Sequence, residues 1–504
     1  GVEYSFEAVT LPAGGRLVLA RNRDAFAIRY GTLANVLVVG PYDGSLKSGG
    51  ETLTMASAAP AEILSFDYDD SSGWPGRADG AGSSLEMVAR SSGSTSSAGD
   101  WRPGSEFHGS PGTAGAGPDN RVVINEVLSH TDLPERDTIE LYNTTGTDID
   151  ISGWYLSDSR ANYQMFEIPA STLLTSGGYY TADETDFNSS GTASDFALNG
   201  ARGDDVYLVE ADASGNPIRF VNHVEFGAAF NGDTLGRWPN GSGKIVPLST
   251  NTLGAENSYP VTASVAISEI MYHPVSNDKD LEYIEIENRG NSTENLANWT
   301  LRGGVDFDFT ASHNLTAGDS LVLVRFDPTI TSSTEAFRTA YALDDSVTLV
   351  GPWTDGALSN GGDSIRLQRP DSPPAEDPSY YPQIIEDIVE FDDSFPWPVT
   401  ADGAGDALHR NSPTTYGDLS TSWTAGLCGL LDFNADDDND GVPYLLEYAL
   451  NMDTQSNDRQ LLPQMVFDQA GMTYKYPKDL SKTGIIYHLE SSTDLMDWSP
   501  VAGT

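Results

Sequence analysis

The sequence predicts an all-β protein of tandem β-sandwiches, followed by a short calcium-loop and helix segment and the start of a further β-rich module. Three observations carry this. The chain repeats one pattern of residues three times. The repeated segments alternate apolar and polar residues, as half-buried strands do. Turn signals rich in Gly, Pro and Asp separate them at short intervals, and a repeat of this kind is the first thing to seek in a sequence. The 50 glycines and 28 prolines show no fixed period, so they act as turn punctuation and exclude a collagen-like chain.

The repeat is plainest between the first and third copies. Asp69-Asp70, Trp74-Pro75, Ala78-Asp79-Gly80-Ala81-Gly82 and Leu85 recur with identical spacing as Asp392-Asp393, Trp397-Pro398, Ala401-Asp402-Gly403-Ala404-Gly405 and Leu408. Upstream, Leu17-Val18-Leu19-Ala20-Arg21 corresponds to Leu321-Val322-Leu323-Val324-Arg325, each run followed by a short helical signature ending at Tyr30 or Tyr341. Next come Gly49-Gly50-Glu51 and Gly361-Gly362-Asp363, where a Gly pair can supply the positive φ of a hairpin turn. The middle copy is more diverged. Arg202-Gly203-Asp204 stands in place of the Gly-Gly-acid turn, which makes a hairpin the better reading of that adhesion-like tripeptide. Trp238-Pro239 is read as its Trp-Pro pair.

The second and third copies share a front half that the first lacks. Val123-Ile124-Asn125-Glu126-Val127 matches Ala266-Ile267-Ser268-Glu269-Ile270. Thr138-Ile139-Glu140-Leu141-Tyr142-Asn143 matches Tyr283-Ile284-Glu285-Ile286-Glu287-Asn288, and Gly153-Trp154-Tyr155-Leu156 matches Asn298-Trp299-Thr300-Leu301. Alternation places Glu140 and Glu285 away from the apolar face. These segments resemble the lamin-tail domain in its bacterial form, over essentially residues 1–425. The resemblance implies immunoglobulin-like β-sandwiches, found in large secreted and cell-surface proteins, often beside CotH-type kinase-like domains or nucleases. It implies no catalytic residue. The expected modules are 1–116, a truncated sandwich; 120–258 and 262–427, complete ones; 430–456, the calcium loop and helix; and 460–504, the start of the β-rich module. Because the first copy lacks its front half, further polypeptide ahead of Gly1 is expected. Residues 89–119, rich in Ser, Gly and Pro, read as a linker.

Residues 436–447, Asp-Asp-Asp-Asn-Asp-Gly-Val-Pro-Tyr-Leu-Leu-Glu, fit the twelve-residue EF-hand loop. Asp436, Asp438 and Asp440 take positions 1, 3 and 5, Gly441 makes the sharp turn, Val442 offers its carbonyl, and Glu447 binds bidentately. Pro443 departs from the paired EF-hand pattern, and the stretch resembles the single loops of dockerin-like and thrombospondin type-3-like segments. Calcium is therefore the expected cofactor. Asp432 and Asn434 are candidates for a shifted register.

The charge balance, 27 basic against 74 acidic residues for a net −47, repels nucleic acid and anionic membrane surfaces. No apolar run approaches a membrane span. The single Cys428 allows no intramolecular disulfide and reads as a small buried residue. No His-Glu-x-x-His, nucleophile elbow or phosphate loop is present, so the chain is expected not to be an enzyme. His130 and His273 follow the strand glutamates and read as structural loop residues. The expected function is an extracellular or cell-surface structural or adhesive array stabilised by calcium. An accessory region of a secreted enzyme and a surface- or carbohydrate-binding module are the alternatives. Expected partners are other copies or neighbouring domains, with strand complementation at the first module.

Overall fold

A computed structural model describes residues 1–426 apart from 59–60, 71–73, 89–96, 311–312 and 413, together with 442, 446, 450, 462, 464–468, 471–475, 490–491 and 499–500. The chain forms two compact units, Gly1–Pro260 and Val261–Thr504.

In the first unit, residues 122–247 make two antiparallel sheets. One has the strand order Tyr179–Asp183, Thr138–Asn143, Val122–Leu128, Thr234–Trp238, Lys244–Pro247. The other runs Phe166–Glu167, Tyr155–Ser157, Asp204–Ala211, Pro217–Phe226. Alternate residues such as Ile139, Leu141, Val206 and Leu208 meet between the sheets around Trp154. In the second unit, one sheet runs Leu349–Val350, Ser320–Val324, Tyr283–Asn288, Val265–Met271, Ala407–Arg410, Trp423–Gly426. The other runs Asp355–Gly356, Val305–Asp308, Thr300–Gly303, Asp363–Pro370, Gln383–Phe391. Trp299, Trp397 and Trp423 join Ile267, Ile284 and Leu367 in its core. Beyond it, Gln464–Asp468 pairs with Gly471–Lys475.

Both helical signatures have the same use. Ser320–Val324 pairs in parallel with Leu349–Val350, and a parallel pair needs a crossover. Helix Thr331–Ala340 supplies it and buries Phe337 against Tyr283, Phe326 and Tyr341. In the first module, Leu17–Leu19 pairs in parallel with Leu37–Val39, and helix Arg23–Tyr30 crosses between them, capped by Asn22.

The turn glycine recurs in all three modules, but not in a hairpin: it opens Glu51–Ala56, Asp204–Ala211 or Asp363–Pro370, and each of these strands forms its hairpin with the strand that follows it. Gly50, Gly203 and Gly362 have φ of 88°, 79° and 104°. A Cβ on each would collide with the carbonyl oxygen of Tyr68, Phe226 or Phe391 on the paired strand. Arg202-Gly203-Asp204 is thus a structural turn. Gly362→Ala is expected to lower the stability of the third sandwich by about 2 kcal/mol, since neither the φ nor the space suits a side chain. A thermal melt followed by tryptophan fluorescence checks this, and an unchanged midpoint contradicts it.

The front strands hold a feature that simple alternation does not show. Pairing slips between Glu140 and Leu141 in the second module and between Ile267 and Glu269 in the third. A bulge at Asn125 and at Ser268 switches the inward phase, so that Val122, Ile124 and Val127 all face one core and Val265, Ile267 and Ile270 the other. As a result Glu126 lies opposite Glu140, and Glu269 opposite Glu285, across neighbouring strands.

Among its described residues the first module has only strand pairs: Leu17–Leu19 with Leu37–Val39, Val2–Glu3 with Asp43–Gly44, Glu51–Ala56 with Glu62–Tyr68, and Leu85–Met87 with Trp101–Pro103. The Ser-, Gly- and Pro-rich stretch contributes the last of these strands. Its continuation also runs along the edge strand Pro217–Phe226 of the second module. Phe107 N–H donates to the Ile218 carbonyl (3.0 Å), and Phe220 N–H donates to the Ser105 carbonyl (2.7 Å). Phe107 packs on Tyr163 and Phe220 there, closing an otherwise open edge. The Trp238-Pro239 match is corrected by the register. Trp238 ends the strand that corresponds to Ala407–Arg410, so it occupies the place of Asn411 and not of Trp397. A Trp-Pro pair by itself carries no register.

Candidate functional site

Two arrangements of charge recur in the complete sandwiches. The first joins their two sheets. In the third module Asp387, on the edge strand of one sheet, meets Arg410 from the other, with side chains 2% and 1% exposed. Asp387 also accepts the Ile267 N–H (2.9 Å), while Arg410 donates to the Ile267 and Thr415 carbonyls and lies over the Trp423 ring. In the second module Asn222 and Arg237 take these places. Asn222 Oδ1 accepts from Ile124 N–H and from Arg237, and Arg237 donates to the Ile124 carbonyl (2.8 Å). Counting back four residues from Tyr68 and forward two from Leu85, as the shared register requires, the first module has Leu64 and Met87 there. The joint is thus ionic in one complete sandwich and polar in the other, which marks it as structural, while Leu64 and Met87 are exposed in the first module.

The second arrangement is the pair of opposed glutamates. Glu126 and Glu140 are fully buried. They do point away from the apolar core, as alternation requires, but they do not reach solvent. The chain after Pro247 folds back over them. Thr252 donates its N–H (2.9 Å) and hydroxyl (2.8 Å) to Glu126. Gly254 N–H donates to Glu140, and the bulged Asn125 donates its amide to Glu140 Oε1 (2.9 Å). Asn257 holds the returning segment through the carbonyls of Asn125 and Arg237. Gly236 makes the approach possible, since a Cβ there would collide with Leu248 and Asn257. Burial, with the Glu126 charge adding to it, pushes the Glu140 carboxyl up to about 7, against the pull of the Asn125 and Gly254 hydrogen bonds. In the third module His409 stands where Gly236 does, 3.4 Å from Glu269. Tyr283 donates its hydroxyl to Glu269, and burial raises the Glu285 carboxyl.

His130 and His273 are structural. His130 Nδ1 lies 2.8 Å from the Ala229 carbonyl, apart from the glutamate pair. His273 bridges Asp402 and Asn277. Asp392 caps its own loop by accepting the Ser394 N–H (2.8 Å). Among the described residues no group of three or more His, Cys, Asp and Glu is placed to hold a metal ion. Of the expected calcium ligands, Asp436, Asp438, Asp440 and Glu447 lie outside the described residues, as do Asp432, Asn434 and Cys428; Val442 is described and buried. Among the described residues no helix is long and apolar enough to cross a membrane.

The two complete modules are thus two-sheet sandwiches of immunoglobulin-like type, whose buried charges serve the joints of the fold. The lamin tail domain family model matches two tandem segments of the chain, residues 116–225 and 259–373. That family is a non-catalytic immunoglobulin-like fold, and such domains act as structural or interaction modules. A crystal structure of a DUF4876 family protein from Bacteroides thetaiotaomicron is similar at 12% sequence identity, covering 60% of this chain and 92% of that one, with a TM-score of 0.22. Among curated proteins none matches.

Proposed function

We propose that the chain is an extracellular array of structural or adhesive modules, stiffened by calcium in the segment after the third sandwich. The observation that carries the structural reading is the fate of the buried charges. Glu126, Glu140, Asp387 and Arg410 are all engaged by the chain's own donors and acceptors, so each supports a joint of the fold. The calcium reading rests on the spacing of Asp436, Asp438, Asp440, Val442 and Glu447. The acidic surface fits a protein held soluble outside the cell, and the sandwiches supply repeating rigid units.

Limited proteolysis of the intact chain with calcium and with chelator tests this reading. Calcium is expected to suppress cleavage within 432–453, and calorimetry to show one calcium bound with a Kd on the order of 10⁻⁴ M, as in extracellular modules. D436N combined with E447Q should be cleaved equally in both conditions. Cleavage indifferent to calcium, with no heat of binding, overturns the calcium reading.

A further inference from the structure

The outer face of the second module's four-stranded sheet carries residues that suit a neighbour and not water. A sandwich strand turns one face to the core, and its other face is polar where it meets solvent. The third module keeps to this on the same face: Arg366 is exposed, and Gln368 and Ile385 are half-buried. By register their counterparts in the second module are Tyr207, Val209 and Phe220. These three are between 0% and 3% exposed. With Tyr163 they form an apolar cluster of their own, separate from the main core around Trp154, and Phe107 packs against it. The Tyr163 and Phe220 rings meet edge to face at 5.0 Å.

What covers this cluster comes from the first module and the stretch after it. The turn at 76–82 lies on it directly. Tyr163 donates its hydroxyl to the Ala81 carbonyl (2.6 Å), and the Arg77 guanidinium lies 4.9 Å from the centre of the Phe220 ring. A Cβ on Gly82 would press on Phe107 and Phe220. The following chain then bonds to each side in turn. Gly104 N–H donates to the Ser84 carbonyl (2.7 Å) in the first module. Ser105 and Phe107 bond the edge strand of the second. His108 N–H returns to the Gly82 carbonyl (2.6 Å), Tyr30 donates its hydroxyl to the His108 carbonyl (2.8 Å), and Ser110 donates to Glu86 (3.1 Å). Asp119 then pairs with Arg121 (2.7 Å) and Arg219 (3.5 Å) of the second module.

Modules joined by a linker alone move relative to one another, and a buried apolar contact is what removes that freedom. We infer that the first and second modules are one rigid body, with residues 104–119 acting as a clamp across their joint and not as a hinge. The composition that makes this stretch read as a linker serves close approach instead. A Cβ on Gly104, Gly112 or Gly115 would collide with Ser84, Val36 or Glu86 of the first module. The clamp also explains why Tyr207, Val209 and Phe220 stand where the third module has Arg366, Gln368 and Ile385. For an array of modules it makes the stiff unit two sandwiches long. This deepens the structural reading of the array and is independent of calcium, so the proteolysis experiment can fail while the clamp stands, and the reverse.

Paired spin labels test the joint in the intact chain, with Cys428→Ser removing the native thiol. Ile28→Cys with Leu173→Cys puts one label on each module, and Leu133→Cys with Leu173→Cys puts both on the second; all three positions are exposed. The distance distribution across the joint should be single and no broader than the one inside the second module. Phe107→Ser takes away a side chain that belongs to the clamp and to neither main core. It should broaden the distribution across the joint about twofold or more and leave the one inside the second module unchanged. Arg77→Ser, which lifts the guanidinium from Phe220, should broaden it in the same way. If Phe107→Ser broadens both distributions, Arg77→Ser decides, because Arg77 lies in the first module. A broad or double distribution across the joint of the unsubstituted chain overturns the inference. So does a joint that stays equally narrow in Arg77→Ser and in Phe107→Ser.

Discussion

Arg410→Ala will cost the third sandwich about 3–5 kcal/mol, the largest loss expected from any single substitution at the joint between its sheets. The variant leaves Asp387 buried without its cation, and the Ile267 and Thr415 carbonyls lose a charged donor. Burial already pushes the Asp387 carboxyl above its ordinary value, and the guanidinium is what pulls it back. Without Arg410 the carboxyl should hold a proton in the folded state well above its unfolded pKa. A carboxyl raised on folding contributes stability at low pH that is lost as pH rises through the folded value. The variant should therefore be least stable at neutral and alkaline pH. The first module supplies the compensating change. It places Leu64 and Met87 where the third has Asp387 and Arg410, so D387L with R410M should recover most of the loss, as apolar replacement of a buried ion pair often does. Urea unfolding of the three proteins at pH 5 and pH 8 measures this. A double variant as unstable as Arg410→Ala would show that the pair does more than join the sheets.

The parts of this fold that are local in sequence were legible. Gly50, Gly203 and Gly362 each announce a turn because only glycine tolerates that φ against a neighbouring carbonyl. Strand alternation placed Ile139 and Leu141 inside, and the short signatures before Tyr30 and Tyr341 became crossover helices. What was missed depends on residues far apart in the chain. Glu140 reads as a solvent-facing strand residue, and its burial comes from Gly254, 114 positions away. The bulge was written in the sequence all the same. Ile-Asn-Glu-Val and Ile-Ser-Glu-Ile each set two polar residues between apolar ones, which no unbroken two-residue period accommodates. The pairing of Asp387 with Arg410 had no such signal. Its members belong to different sheets, and the corresponding residues in the other copies differ in kind. Of the calcium ligands expected from spacing, only Val442 falls among the described residues, and the calcium reading rests on that spacing.

The second module should lose stability as pH rises from 4.5 toward 7. Glu140 titrates at its ordinary value of 4.5 in the unfolded chain and at about 7 in the fold. The folded state therefore binds the proton more tightly, and stability falls over that window. At 1.36 kcal/mol per unit the loss approaches about 3 kcal/mol by pH 8, a large share of what holds a small domain together. The consequence is local before it is global. An ionised Glu140 faces Glu126 beneath the segment that carries Thr252 and Gly254, so that segment should open first. Amide exchange at residues 250–257 should accelerate between pH 6 and pH 8 by more than the intrinsic rate, while Val206 and Leu208 in the opposite sheet keep their protection. Glu140→Gln removes the titration. Its carboxamide presents an NH₂ toward one of the two donors, so it carries a cost of about 1–2 kcal/mol that does not vary with pH. Its stability should thus start below that of the unsubstituted chain at pH 5, hold level across the window, and exceed it at pH 8. The crossing of the two curves is the diagnostic feature, because a merely damaged fold would run parallel to the original at every pH. Parallel curves would show that Glu140 is ionised throughout and that the hydrogen bonds from Asn125 and Gly254 outweigh its burial.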